Sequence, residues 1–555
     1  MEDIQMLFGF IGGLGLFLYG MHMMADGLQK TAGNRIKNLM GQAADHRMMG
    51  IFAGAAVTAM LQSSSAATVM IVGFVNAGII GLSLAVGIIM GANIGTTATS
   101  WLVSMQEIGN ALNPEFYAPL LIGVGVFLML FCKTFGKKQI GEILTGLGAF
   151  FTGLSFISGA IEAYSHAAVF EKIFDTLGNF PLLGLLTGTA VTALLRSSSA
   201  SIGVLQTMAF HGMVPWDAAV YIILGQNIGT CITTLISGAG AKNYAKRAAV
   251  IHLLFNAFGS VIFGIGMSAV FVIWPSFANA MTDSIRISIF HTVFNIINTL
   301  ILFPFTDKLI KLSGMIVKDK KKDTDTQEKL TEESDFLRHL DRRILESPAF
   351  AVQNAAEEVV QMAEITIKNI EDSFEAILDN NAEKIKSVCE CEKSIDRMAK
   401  RLSDYLIKIS RLSLSDDENT LVNHLFYSVS DIERMGDHAE NIADLAKYKL
   451  ENKIAFSETA KRELEGLMTY VINGLSYALK ARQEMELAFV EKEKEYEDLV
   501  DYVESELREK HIERLAQNRC QPASGIVYLD VLSNLERISD HADNIAGYVK
   551  RELKK

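Results

Sequence analysis

Apolar residues are distributed in two ways along this chain. Up to about residue 306 they run in long blocks broken by short polar turns, and from about 350 they recur every three to four positions among charged residues. The first pattern predicts membrane-crossing helices, because about 20 apolar residues span the hydrocarbon core of a bilayer. The second predicts long amphipathic helices of a water-soluble bundle. Crossings are expected at Ile4–Met24 and at about 79–104, 117–132, 140–161, 217–238, 248–273 and 285–306. Two further apolar stretches, Gly50–Ala77 and Phe180–Val214, are each interrupted by three serines and are expected to be re-entrant hairpins. The fold class is therefore all-α: a polytopic membrane domain (1–306), a charged linker (307–347) and a helical bundle (348–555). The start, MEDIQ, lacks the positive region of a signal peptide, so the first apolar run is expected to be retained.

The membrane half contains one stretch twice. Gly54–Ser104 aligns with Gly188–Gly238 without a gap at a constant offset of 134, with 21 of 51 positions identical. Basic residues orient the copies. Lys30, Arg35, Lys37 and Arg47 follow the first span, and Lys133, Lys137 and Lys138 follow the third. Lys242, Lys246 and Arg247 follow the fifth, and Lys308, Lys311 and Lys318 the last. All fall on one side, the cytoplasmic one, if the serine stretches are re-entrant. The N-terminus then lies outside, and the two copies are inverted with respect to each other. Inverted repeats with interrupted helices are a construction of secondary transporters, which bind substrate where the repeats meet.

Charge separates the halves further. Residues 1–306 hold 13 Lys and Arg against 12 Asp and Glu, whereas the remainder is strongly acidic within an overall net charge of −12. An acidic tail argues against nucleic acid as a partner and against a polybasic membrane anchor. The five cysteines are scattered and form no zinc spacing, which suits a reduced cytosolic tail.

The serine runs carry the chemistry. A half-helix starting at Ser63-Ser64-Ser65 or at Ser197-Ser198-Ser199 presents unpaired N–H groups and a positive dipole end, and serine hydroxyls add donors. Two such ends facing each other suit a small oxyanion, while leftover oxygens suit sodium. Gln62 precedes the first run and Arg196 the second; a guanidinium fork fits a tetrahedral anion, with Asp26, Glu142 and Asp217 as remote carboxylate partners if Arg196 is structural. A second doubled element, GANIGT at 91–96 and GQNIGT at 225–230, is expected to interrupt its helix and to offer Asn93, Thr96, Thr97, Asn227 and Thr230 as oxygen ligands. HxxFN recurs at His252–Asn256 and His291–Asn295, where polar bonding between helices is the favoured reading and ion coupling the minority one.

With these motifs, QSSSA at 62–66, SSSAS at 197–201, GANIGT, GQNIGT and the two HxxFN elements, the sequence resembles the type II sodium–phosphate cotransporter family over about residues 5–306. The resemblance implies that the two serine-rich hairpins bind inorganic phosphate together with sodium. Arg196 departs from the family's pattern of Gln before both runs, and a fixed charge there can replace one cation. Direction of flow and sodium number stay open.

In the soluble half, Glu433–Ala443 matches Glu536–Ala546 at 8 of 11 positions. Each contains a Glu-x-x-x-Asp pair, Glu433/Asp437 and Glu536/Asp540, and further pairs lie upstream at Glu392/Asp396 and Glu497/Asp501. At this spacing both carboxylates face one way, and two facing helices can gather four, an arrangement that repels itself unless a cation is bound. Residues 348–552 resemble the PhoU family of phosphate-uptake regulators, whose paired three-helix bundles hold metal ions at the matching positions. No catalytic constellation is present, so no enzymatic activity is expected. The sequence thus predicts a sodium-linked phosphate transporter of the inner cell membrane under a cytosolic regulatory domain that can hold a divalent or transition metal. Expected partners are phosphate, sodium and the lipid bilayer, with a homodimer left open. The alternatives are a membrane-anchored phosphate-signalling module without net transport, and a phosphate exporter or channel.

Overall fold

A computed structural model describes residues 2–42, 46–107, 114–132, 134–165, 167–318 and 340–554. They are almost entirely helical, with one isolated β-bridge between Pro215 and Met281. The chain divides into two compact units, residues 1–323 with 341–350, and residues 324–340 with 351–555. Most of the linker predicted between them, 319–339, lies outside the described residues.

The first unit contains α1 (Glu2–Gln42), α2 (Arg47–Leu61), α3 (Ser64–Ala77), α4 (Leu82–Gly95), α5 (Thr97–Ser104), α6 (Pro114–Phe131) and α7 (Phe135–Glu162). It continues with α8 (Ala168–Asn179), α9 (Pro181–Leu195), α10 (Ser198–Phe210), α11 (Trp216–Gly238), α12 (Asn243–Ile273), α13 (Ser284–Leu302) and α14 (Thr306–Ile316). Among the described residues seven spans are long and apolar enough to cross a membrane, at positions matching the seven expected ones. The chain has the build of a multi-pass membrane protein. The helices α2, α3, α9 and α10 have only 15, 14, 15 and 13 residues. At 1.5 Å rise per residue each reaches about 20 Å, short of the hydrocarbon thickness.

Loops collect at two ends. At one, Arg47 donates to Asp307 at 2.8 Å, the Lys242 N–H donates to Asn76 at 2.7 Å, and Arg247 Nε donates to the Val317 carbonyl at 3.1 Å. At the other, Glu107 accepts from the N–H groups of Ser284 and Ile285, and the Trp216 and Thr282 N–H groups donate to Ala280 and Val214. Basic residues thus gather at the first end. A short turn at Arg342–Glu346 also docks there: Arg343 Nε donates to the Ser237 carbonyl at 2.8 Å, Asp341 accepts from Asn76, and Ile344 is fully buried. The stretch 307–347, expected to be linker, therefore begins as helix α14 and ends as a turn packed on α3 and α11.

Only the first GxNxGT element falls at a helix boundary as predicted: α4 gives way to α5 at Thr96, which keeps helical dihedrals (φ −59°, ψ −28°), whereas α11 runs unbroken through GQNIGT. The glycines serve close packing instead. A Cβ on Gly91 would lie 2.0 Å from the Ile51 carbonyl oxygen, and one on Gly225 would lie 2.0 Å from that of Leu185. Gly54 and Gly188 make the reciprocal approach, 2.1 Å from the carbonyls of Ile88 and Ile222. Helices α2 and α4 are thereby locked backbone to backbone, as are α9 and α11.

The second unit holds α15 (Pro348–Asp379), α16 (Ala382–Ile409), α17 (Asp416–Glu451), α18 (Glu458–Glu484), α19 (Leu487–Ala516) and α20 (Pro522–Leu553). Starts are fixed by caps that the sequence places there: Asn381 on α16, a Ser415/Glu418 capping box on α17, and Ser457 on α18. Helices α18, α19 and α20 pack mutually, and α17 joins the two halves by packing on α20.

The locked pairs give a test. Gly225→Ala is expected to lower the melting temperature of the detergent-solubilised protein, since overpacking costs about 1–3 kcal/mol. Gly12→Ala, on a helix face where a Cβ meets nothing within 4 Å, is expected to leave it unchanged.

Candidate functional site: facing helix ends and carboxylate clusters

Each hairpin breaks at the residue before its serines. Gln62 (φ 50°, ψ 20°) and Arg196 (φ 53°, ψ 19°) both sit in the left-handed region, which non-glycine residues rarely adopt and which costs roughly 1–3 kcal/mol. The first serine of each run then caps the next helix: Ser63 Oγ accepts from the Ala66 N–H and Ser197 Oγ from the Ala200 N–H, both at 3.1 Å. The second serines, Ser64 and Ser198, open α3 and α10 and approach each other at 3.4 Å between hydroxyl oxygens. The third serine of the first run, Ser65, accepts from Thr233 Oγ1 at 3.2 Å. Ser199 is buried at the equivalent position of α10.

Between the two helix ends lies a cavity of about 10 Å³, lined by Ser64, Asn93, Thr96, Ser198, Ile202, Gln226, Asn227, Thr230 and His291. This is room for about one water-sized sphere. Its polar lining is matched across the repeats. Asn93 and Asn227 donate through Nδ2 to the carbonyls of Ile89 and Ile223 at 2.9 Å. Thr96 and Thr230 donate their hydroxyls to the carbonyls of Ala92 and Gln226. These bonds spend the threonine hydrogens and one of the two amide hydrogens on each asparagine, and leave oxygen lone pairs, while the Ser64 and Ser198 hydroxyls remain able to donate. The lining thus offers acceptor oxygens for a cation as well as donors for an anion.

Several candidate residues fall elsewhere. Gln62 is buried and holds its own break, accepting from Thr99 Oγ1 at 2.9 Å. Thr97 donates to the Ile94 carbonyl and does not line the cavity. Arg196 is exposed at the break and does not line the cavity either. The carboxylates considered for it are engaged: Glu142 accepts from Lys30 at 2.9 Å, Asp26 lies 3.7 Å from His22, and Asp217 caps its own helix at Ala218. The two HxxFN elements also diverge. His252 contacts Thr234 at 3.2 Å and Asn256 donates to Cys231 Sγ at 3.3 Å, binding α12 to α11, whereas His291 on α13 faces the cavity. Gln226 and His291 were not among the predicted ligands. The position before Asn227 in the second motif, the one where the copies differ as Ala and Gln, was the available signal for Gln226.

In the soluble unit, Glu392, Asp396 and Asp437 bring carboxylate oxygens within 4.8 Å of one another, and so do Glu497, Asp501 and Asp540. The repeat predicted two clusters of four. Glu433 and Glu536 start the downstream pairs but stand outside these groups, one helical turn removed. Burial, then a hydrogen bond and repulsion from Asp396, push Glu392 up to about 7. Burial, then repulsion from Asp543 and Glu497, pushes Glu493 up to about 8. Carboxylates forced to share a site in this way fit a hard or borderline divalent cation.

The membrane half matches the Na+/Pi-cotransporter family over residues 16–159 and 161–282, and the soluble half matches the PhoU domain over residues 359–446 and 464–549. The chain joins a Na+/Pi-cotransporter domain to a PhoU domain. YjbB of Escherichia coli (strain K12), named for inorganic phosphate export, is 22% identical over 532 residues, covering 95% of this chain and 94% of that protein. Sodium-dependent phosphate transport protein 2B of Homo sapiens is 34% identical over 130 residues, 21% of this chain and 19% of that protein. Phosphate-specific transport system accessory protein PhoU homolog 1 of Thermotoga maritima is 24% identical over 200 residues, 35% of this chain and 82% of that protein. The serine runs and both GxNxGT elements lie inside the cotransporter match, and all four Glu-x-x-x-Asp pairs lie inside the PhoU match.

The carboxylate geometry sets the sign of a pH effect. Glu392 titrates higher in the folded protein than the ordinary 4.5, so it stabilises the fold below that value and the contribution is lost as pH rises toward 7. In chelator, the melting temperature of the full-length protein is expected to fall between pH 5 and 7 more steeply than that of Asp396→Asn. A divalent metal added at pH 7 should restore wild type and leave the variant unmoved.

Proposed function

We propose that this protein is a secondary transporter of inorganic phosphate coupled to sodium, with the anion bound between the N-terminal ends of α3 and α10. One observation carries the reading: two hairpins 134 positions apart in sequence bring Ser64 and Ser198 to 3.4 Å, each opening its half-helix. Helix N-termini attract anions through unpaired N–H groups and the dipole, and the acceptor oxygens of Asn93, Thr96, Asn227 and Thr230 offer a sodium ion hard ligands on the opposite wall. The cavity is smaller than a phosphate, so loading requires the two repeats to separate. Arg196, exposed beside the break, meets the anion on that path and supplies a fixed positive charge before the cavity closes. On this reading the basic loop end faces the cytoplasm of a cell-membrane protein, and the N-terminus lies outside. The opposite end carries a vestibule of about 650 Å³ whose lining includes Glu171, Asp175 and Asp217 against one Lys172, a potential that draws cations inward.

The PhoU domain regulates the membrane domain in this scheme. Metal held by Glu392, Asp396 and Asp437, and by Glu497, Asp501 and Asp540, neutralises carboxylates that repel one another, with Glu433 and Glu536 as outer support. A phosphate exporter is the second reading, favoured by full-length similarity to a protein named for export.

Liposomes carrying the full-length protein test the proposal through labelled phosphate flux with and without a sodium gradient. Wild type is expected to accumulate phosphate against its gradient when sodium is imposed, and Ser198→Ala to lose at least tenfold in kcat/KM, about 1.4 kcal/mol. Arg196→Gln should raise KM and increase the dependence on sodium. A correctly folded wild type that moves no phosphate would sink the reading.

A further inference from the structure

The site has a third wall that neither repeat supplies. Helix α13 presents a buried polar stripe, Ser284, Ser288, His291, Asn295, Asn298 and Thr299, toward the repeats, and Ile289, Val293, Ile296 and Leu300 on its exposed face. Ser288 fixes the stripe: it bonds to the Ser100 and Ser104 hydroxyls at 2.9 and 3.0 Å and accepts from Gln206 Nε2 at 2.9 Å. One helical turn further, His291 lines the cavity between Ser64 and Ser198. It is 4% exposed, and its Nδ1 is buried without a partner. Gln226, also 4% exposed, lines the same cavity; its Nε2 donates to Ser201 Oγ at 2.9 Å and its Oε1 is buried without a partner.

Orphaned buried acceptors are costly, about 1–3 kcal/mol each, and are retained where something arrives to fill them. The asparagine and threonine oxygens already provide for a hard cation, and an imidazole nitrogen is a poor sodium ligand. A hydroxyl donor is the better match. At neutral pH phosphate carries at least one P–OH proton, whereas sulfate, of the same shape and charge range, carries none. We infer that His291, in the tautomer protonated at Nε2, accepts one P–OH hydrogen at Nδ1 and that Gln226 Oε1 accepts the second hydrogen of the monobasic anion, so that the site selects protonated tetrahedral oxyanions over fully ionised ones. The inference rests on the transport reading for its ligand, and adds to it the basis of selectivity. A sulfate placed there would set its oxygens against two acceptors with no hydrogen between them, and a site built to receive a hydroxyl rejects analogues lacking it by large factors.

Equilibrium binding of labelled phosphate to the full-length protein in lipid nanodiscs, competed with arsenate, sulfate and selenate, tests this independently of flux. Arsenate, which is protonated at pH 7, should compete about as well as unlabelled phosphate, and sulfate and selenate should fail at hundredfold excess. His291→Phe and Gln226→Met should each lower the ratio of sulfate to phosphate inhibition constants by about tenfold or more, and His291→Gln, which keeps an acceptor, should retain most of it. The ratio does not depend on how much variant protein folds. Sulfate competing with wild type as well as arsenate does, or an unchanged ratio in both His291→Phe and Gln226→Met, would overturn the inference. Selective binding without flux in liposomes would overturn transport and leave the selectivity standing.

Discussion

A helix that starts inside a membrane domain leaves its first backbone N–H groups without partners, and this protein has two such starts, at matched positions. In hydrocarbon such groups cost several kcal/mol each, so irregular backbone survives there only when enclosed by protein. The enclosure accounts for much of the rest of the membrane domain. Ser63 and Ser197 satisfy one N–H each, Gln62 ties the first break to α5 through Thr99, and α4, α11 and α13 wall the ends in. Two of the buried polar atoms left without a partner, Gln226 Oε1 and His291 Nδ1, belong to residues lining the small polar cavity.

Division of labour within each serine run follows from helix geometry. Three consecutive serines point in three directions about an axis with 3.6 residues per turn. One caps, one faces the opposite repeat, and one turns toward a neighbouring helix. The run is therefore not three equivalent ligands. Only Ser64 and Ser198 are placed on the cavity, and the two Asn-Ile-Gly-Thr segments contribute alternate members in the same way, Asn and Thr inward, Gly against the partner helix.

Much of this was legible in the residues. A gapless repeat with serines in apolar surroundings located both hairpins, and hydrophobic period separated the spans from the six helices of the PhoU domain. The errors have physical causes. Glycines in GxNxGT read as flexible backbone because sequence shows the missing Cβ and not the carbonyl it makes room for. Arg196 read as an anion contact because charge is visible in sequence, while its exposure at the break, outside the cavity lining, is not. Glu433 and Glu536 were grouped with their i+4 partners, and sequence spacing does not show which member of such a pair comes nearest the facing carboxylates. His291 could not be separated from His252 at all, since identical HxxFN elements lie on helices with different neighbours.

The backbone locks at Gly54, Gly91, Gly188 and Gly225 leave α2 no freedom against α4, nor α9 against α11. Each hairpin break and its own Asn-Ile-Gly-Thr segment thus travel as one body. Any widening of the cavity must fall at the seam between bodies, whose contacts include the hydroxyl pairs Ser64 with Ser198, Thr68 with Thr234 at 2.8 Å, and Ser65 with Thr233. Hydroxyl pairs of this kind exchange with water at little net cost. The molecule is stiff where glycine meets carbonyl and yields where hydroxyl meets hydroxyl, so its line of parting is drawn in the choice between those two contacts.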